Sequence, residues 1–234
     1  MSTFDPTVAP DRAWIRARPD PPDTPAGDGL RPPPEGFSDL RQVLPASTRF
    51  AIAYATAVNF VGAALPGYGA PGAWLRSAAA DALARAAASF AQDGLQFIIY
   101  DAYRPVRATE AMHHWATLTD NLWLFDDGWV VRRSRHNLGR AVDLTLVDAK
   151  TGVLLDMGSP FDAFVDSSWT ERATGRAAIH RARLRDGMLA AGFRGLAQEW
   201  WHFEWPHEEG DATPAGRCDV PYGVQEADGA LIVP

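Results

Sequence analysis

In this chain of 234 residues, the groups spaced to do chemistry fall in three short segments. Ser134-Arg135-His136-Asn137-Leu138-Gly139-Arg140-Ala141-Val142-Asp143 sets an imidazole and a carboxylate on either side of a glycine. Asp143 lies inside an apolar alternation, where a carboxylate is costly to bury unless it is paired or bound to a metal. A turn at Gly139 would fold His136 back beside it, and imidazole nitrogen and carboxylate oxygen are both zinc ligands. This segment alone fits equally a His–Asp hydrogen bond that fastens a loop. Glu199-Trp200-Trp201-His202 tips the reading toward a metal. With it, His136, Asp143 and His202 make three protein ligands and leave a fourth tetrahedral position for water. A glutamate outside that set, here Glu199, is suited to take a proton from the water. Residues three apart in a regular strand face opposite sides, so Glu199 is expected in the turn entering the strand or at a bulge. The third segment is Asp101-Ala102-Tyr103-Arg104-Pro105. Arg104 suits an oxyanion forming at a carbonyl carbon, although by itself it reads as a salt-bridge partner of Asp101.

Other patterns carry less. Gly67-Tyr68-Gly69-Ala70-Pro71-Gly72 matches a dinucleotide-binding fingerprint letter by letter, but no strand leads into it and Pro71 stiffens the loop. His113 and His114 are adjacent on an expected helix and point apart, as solvated surface residues do. His180 and His207 have no acidic or histidine partner at ligand spacing. The basic run Val131-Arg132-Arg133-Ser134-Arg135 reads as a solvated loop.

The elements that must position these groups are legible from periodicity. Gly72 to Asp93 is alanine-rich, with Leu75, Ala79, Ala82, Leu83, Ala86 and Phe90 on one helical face and Gly94 as its stop. Leu95 to Tyr100 reads as a buried strand. Pro105 opens a second helix over Val106 to Leu118. Ala141 to Val147 alternates as a strand, Arg172 to Ala191 forms a third helix, and Glu199 to Trp205 is the last strand. Helices and short strands mix without a regular strand–helix repeat. That pattern predicts an α+β fold, a single domain with a small central antiparallel or mixed sheet flanked by helices and a zinc site in a cleft.

Residues 1–45 hold ten of the 18 prolines and are expected as an extended or partly disordered leader. Residues 46–205 are expected as the catalytic domain, with 206–234 as a tail packed on it or trailing from it. A formal charge of −7 gives no indication of a nucleic-acid partner, and no apolar run is long enough to span a membrane. The single cysteine, Cys218, cannot form an intrachain disulfide. With no basic stretch leading into an apolar core at the N-terminus, a cytoplasmic protein is expected. The sequence leaves the oligomeric state open.

Ser134 to Asp143 fits S-x-H-x-x-G-x-A-x-D and Glu199 to His202 fits E-x-W-H. With Tyr54 to Phe60, Asp101 to Pro105 and Met157 to Asp162 in the same order, the chain resembles the D-alanyl-D-alanine metallopeptidases, in particular the VanX-type D-alanyl-D-alanine dipeptidases. The resemblance runs from about residue 50 to 205. It implies one zinc ion held by His136, Asp143 and His202, Glu199 as general base, and Arg104 stabilising the tetrahedral intermediate. It also associates Tyr54 and Asp162 with the substrate's free ammonium and Ser134 with the dipeptide's carboxylate end, while Asp101 orients its neighbours. A small dipeptide, D-Ala-D-Ala foremost, is the implied substrate. A D,D-carboxypeptidase or L,D-endopeptidase acting on cell-wall peptides is the nearer alternative, and a non-catalytic zinc-binding module the farther one.

Overall fold

The computed structural model describes residue 15 and residues 18–206 and 218–226. Its first elements are β1 (Phe37–Asp39), α1 (Leu40–Val43), β2 (Arg49–Phe50), β3 (Trp74–Arg76) and α2 (Ser77–Gln92). There follow β4 (Leu95–Asp101), α3 (Val106–Leu118), α4 (Trp123–Asp126) and β5 (Ala141–Asp148). The last are α5 (Gly175–Ala190), β6 (Arg194–Gly195) and β7 (His202–Glu204).

The two most apolar strands, β4 and β5, form the centre of a five-stranded sheet in the order β2-β4-β5-β7-β6. Only β2 runs parallel to its neighbour; the other pairs are antiparallel. The sheet is thus small and mixed, and the fold is α+β as the sequence predicts. A second ladder pairs β1 with β3. β5 is buried on both faces from Ala141 to Val147, as a central strand must be. α2 lays Ala79, Ala82, Leu83, Ala86 and Phe90 inward, and Gly94 ends its turn at φ +70°. Phe90 also lies where a Cβ on Gly187 of α5 would stand, so the two helices meet closely.

Three boundaries differ from expectation. The helix expected from Gly72 starts only at Ser77, because Trp74–Arg76 pair instead with Phe37–Asp39. The third helix begins at Gly175, after a separate 3-10 turn over Thr170–Arg172. The last strand is shortened to His202–Glu204, with a turn over the residues before it. At the N-terminal end, residues expected in the leader include β1 and α1, whose Phe37 and Leu40 reach the core. Upstream of them Thr24 donates from its amide to Phe50 O at 2.7 Å, and Leu30 bridges to Gly223. Tyr222 from the C-terminal segment packs on Trp74 at 4.3 Å between centroids. Among the described residues, no helix is long and apolar enough to cross a membrane.

Candidate active site

Sheet register brings three polar side chains into one row. Asp143 on β5 lies directly opposite His202 on β7, and opposite side chains of an antiparallel pair share a face. On its other side Asp143 is matched by Asp101 of β4 rather than Tyr100, because β4 bulges between Ile99 and Asp101. A one-residue shift changes which face a side chain occupies, so the bulge aims Asp101 at the site.

His136 reaches this row by a turn. Ser134 caps a 3-10 helix over Arg135–Leu138, its Oγ accepting from the His136 amide at 3.2 Å. Gly139 then reverses the chain into β5 at φ +67°. A Cβ there would stand 2.1 Å from the ring of Phe37, so this turn admits only glycine.

His136 Nε2 lies 3.1 Å from His202 Nδ1 and 3.4 Å from Asp143 Oδ2, and His202 Nδ1 lies 3.0 Å from Asp143 Oδ1. All three residues are buried. Each imidazole has its other nitrogen engaged elsewhere: His136 Nδ1 donates to Ala102 O at 2.6 Å, and His202 Nε2 faces Glu204 Oε1 at 3.3 Å. A carbonyl can only accept, so His136 carries a proton on Nδ1, and its Nε2 is the nitrogen that faces the cluster. His136 Nε2, His202 Nδ1 and the Asp143 carboxylate thus converge on one point, and one possible ligand atom from each lies within 4.8 Å of the others. Such an arrangement calls for a cation, and an N, N, O donor set suits zinc. Burial opposes charge on His202, but its hydrogen bonds to Asp143 and Glu204 outweigh that and push it up to about 10, so a cation binding at Nδ1 would have to displace a proton. Burial likewise opposes charge on Asp143, yet His136 and His202 hold its carboxyl below the usual range.

Glu199 sits in the turn before β7, where the His202 amide donates to Glu199 O at 3.3 Å. The turn is what brings it to the face of His202, with 3.9 Å between Glu199 Oε2 and His202 Nδ1. Burial, aided by Asp143 and Asp162, pushes its carboxyl up to about 8. A divalent cation nearby would draw it down again.

Arg104 fulfils the simple reading and keeps its place at the site. Its Nε and Nη2 donate to Asp101 Oδ2 at 3.0 and 2.9 Å, while its Nη2 also lies 3.9 Å from Asp143 Oδ2 and the guanidinium stacks over Tyr54. Asp101 is itself fixed by the Tyr68 hydroxyl, which donates to Oδ1 at 2.6 Å.

Tyr54 O–H donates to Asp162 Oδ2 at 2.8 Å. Asp162 and Phe164 hold φ of +53° and +50°, a left-handed conformation that costs side-chain-bearing residues on the order of 1–3 kcal/mol each. Burial pushes the Asp162 carboxyl up to about 7, against the pull of Arg18.

Tyr54, Arg104, Ser134, His136, Asp143, Asp162, Glu199 and His202 line one cavity of about 200 Å³. Asp101 stands behind Arg104 instead of lining it. Arg133 and Arg135 of the basic run also line the cavity, so this run is not merely solvated. Sequence reasoning missed Glu204, although two residues after His202 on a strand is the same face. It also missed Tyr68, inside the glycine-rich stretch, and Arg18. In that stretch the amides of Gly67 and Gly69 are already engaged, donating to Glu226 at 2.8 and 2.9 Å. His113 packs on Phe125 and His180 bonds Asp156 O, both apart from the cavity, and His207 lies outside the described residues.

Residues 34–218 match the profile of a peptidase family described as D-ala-D-ala dipeptidase. The chain belongs to this family. Among relatives, the D-alanyl-D-alanine dipeptidase of Escherichia coli K12 is 36% identical over 170 residues, 72% of this chain and 83% of that protein. That of Enterococcus faecium is 33% identical, over 72% of this chain and 90% of its own. That of Enterococcus faecalis is 35% identical, over 72% and 91%. A solved zinc-bound D,D-pentapeptidase, VanY, is similar with a TM-score of 0.35 and 16% identity over 57% of this chain and 74% of that one, too distant to carry a role to any residue.

Proposed function

We propose that the protein is a zinc-dependent dipeptidase that hydrolyses D-Ala-D-Ala or a similar short dipeptide with a free amino terminus. The observation that carries this reading is the convergence of His136, Asp143 and His202, each imidazole oriented by a second partner, with Glu199 beside them and outside the set. Membership of the D-ala-D-ala dipeptidase family supports the substrate class.

Zinc bound by the three would polarise the scissile carbonyl and make water acidic enough to attack near neutral pH. Glu199 takes the proton of the attacking water at its carboxylate and returns it to the leaving amine. Arg104, held by Asp101, faces the negative charge that develops on the carbonyl oxygen. Asp162, oriented by the Tyr54 hydroxyl, pairs with the substrate's ammonium, while Ser134 and the arginines beside it face the carboxylate end.

A charged amino anchor and a cavity of about 200 Å³ favour a dipeptide. Sites for drug-sized ligands occupy roughly 300–1,000 Å³. We place the enzyme in the cytoplasm, which fits a free-dipeptide substrate and a chain with one cysteine; cell fractionation tests it. Activity is tested on a panel of D-Ala-D-Ala, L-Ala-L-Ala, D-Ala-D-lactate and an N-acetylated dipeptide, with and without chelator. Chelator-sensitive cleavage of D-Ala-D-Ala, with none of the acetylated compound, is the expected result; equal cleavage of the acetylated compound would overturn the ammonium anchor.

A further inference from the structure

Arg18 lies ahead of the family-matched residues 34–218, in the proline-rich N-terminal segment, yet only 3% of it is exposed. Its guanidinium is spent on the loop that carries Asp162. Nη1 donates to Asp162 O at 3.1 Å and Nη2 donates to Phe161 O. Those carbonyls belong to the two peptide planes on either side of the Asp162 Cα. A rigid fork that holds both planes fixes the φ and ψ of the residue between them. Asp162 is in the left-handed region, where an L side chain does not rest unaided, and the direction of its Cα–Cβ bond follows from that conformation. Nη1 also donates to Ile15 O at 2.6 Å, and Ile15 is itself buried, so Arg18 is anchored from its own side. Its charge stands 3.9 Å from Asp162 Oδ2, the oxygen that accepts from Tyr54.

We propose that Arg18 is a positioning residue for the substrate's amino-end pocket, pinning the backbone on both sides of Asp162 so that its carboxylate is aimed and charged for the incoming ammonium. The leader is then a working part of the active site. This inference rests on the reading that Asp162 receives the ammonium, and the experiment separates the two.

Arg18→Met keeps an unbranched apolar stem and removes both the fork and the charge. In the full-length, zinc-loaded protein, KM for D-Ala-D-Ala should rise about tenfold while kcat stays within about twofold, since what is lost is a charge-assisted contact to the binding group. Dipeptide binding to the Arg18→Met/Glu199→Gln protein, read by calorimetry, should be weaker than to Glu199→Gln alone by the same factor. Arg18→Lys, with charge but no fork, should recover only part of the loss. In an Asp162→Asn background, Arg18→Met should add little, as expected for two residues acting through one contact. An unchanged KM in Arg18→Met, or an equal further rise in the Asp162→Asn background, overturns the proposal; the second is what a mere fastening of the leader would give. Should Arg18→Met not fold, Arg18→Lys decides on the same criterion. Unchanged KM in Asp162→Asn overturns the ammonium reading and this inference with it. A raised KM there beside an unchanged one in Arg18→Met overturns this inference alone.

Discussion

Asp101, Asp143 and His202 stand on three neighbouring strands, in positions set by ladder register and one bulge. Asp162 and Phe164, in the same cavity, stand on a loop with left-handed φ at both residues, held by Tyr54 and by Arg18 from more than a hundred residues away. The first region is held by the strand ladders, one bulge and the turn before β7. The second is held by side chains that reach in from elsewhere. A metal tolerates little error in ligand geometry, whereas an ammonium pairing with a carboxylate tolerates more, and the two constructions match those demands.

The sharpest way to break this comparison is at the ligand row. His202→Ala should lose zinc and with it all measurable turnover; full zinc occupancy by elemental analysis would sink the ligand assignment. Glu199→Gln should keep zinc and lose about 100- to 10,000-fold in kcat, the usual effect of removing a general base. Wild-type turnover in that variant would take the role from Glu199.

Glu204→Gln tests whether the row depends on what stands behind it. Glu204 is the partner of His202 Nε2, and loss of such support costs about 10- to 100-fold in metal affinity, measurable by competition with a chelator. Zinc affinity equal to wild type would mean that strand register alone sets the histidine.

The smallest effect is expected at the loop. Asp162→Asn should raise KM about tenfold, the worth of one charged pairing, with zinc retained. Burial raises the Asp162 carboxyl to about 7, so it is charged above that pH and neutral below it. kcat/KM should therefore fall as pH drops through about 7, levelling off at about tenfold in all, and Asp162→Asn should lack this acid limb. Retention of the limb in the variant would assign it to another group.

Much of the site could be read from sequence because its parts obey short-range rules. Gly139 between His136 and Asp143 signalled a turn, and the structure shows why no other residue fits. The E-x-W-H spacing demanded that Glu199 leave the strand, and it does. Glu204 was equally legible from strand alternation, though unread. The start of α2 was not: the alanine periodicity continues upstream of Ser77, and only pairing with β1 makes Trp74–Arg76 a strand.

By itself, then, the sequence determined the residue types of the His–Asp–His cluster, the turn that brings two of them together, the helices and the central strands, since each depends on residues a few positions apart. Tertiary structure alone decided that Asp101 rather than Tyr100 stands beside Asp143. It also decided that Tyr68 holds Asp101, and that an arginine from a proline-rich leader clasps the Asp162 loop. Those placements come from a bulge and from contacts across 33 and 144 positions of chain, distances over which no local periodicity carries information.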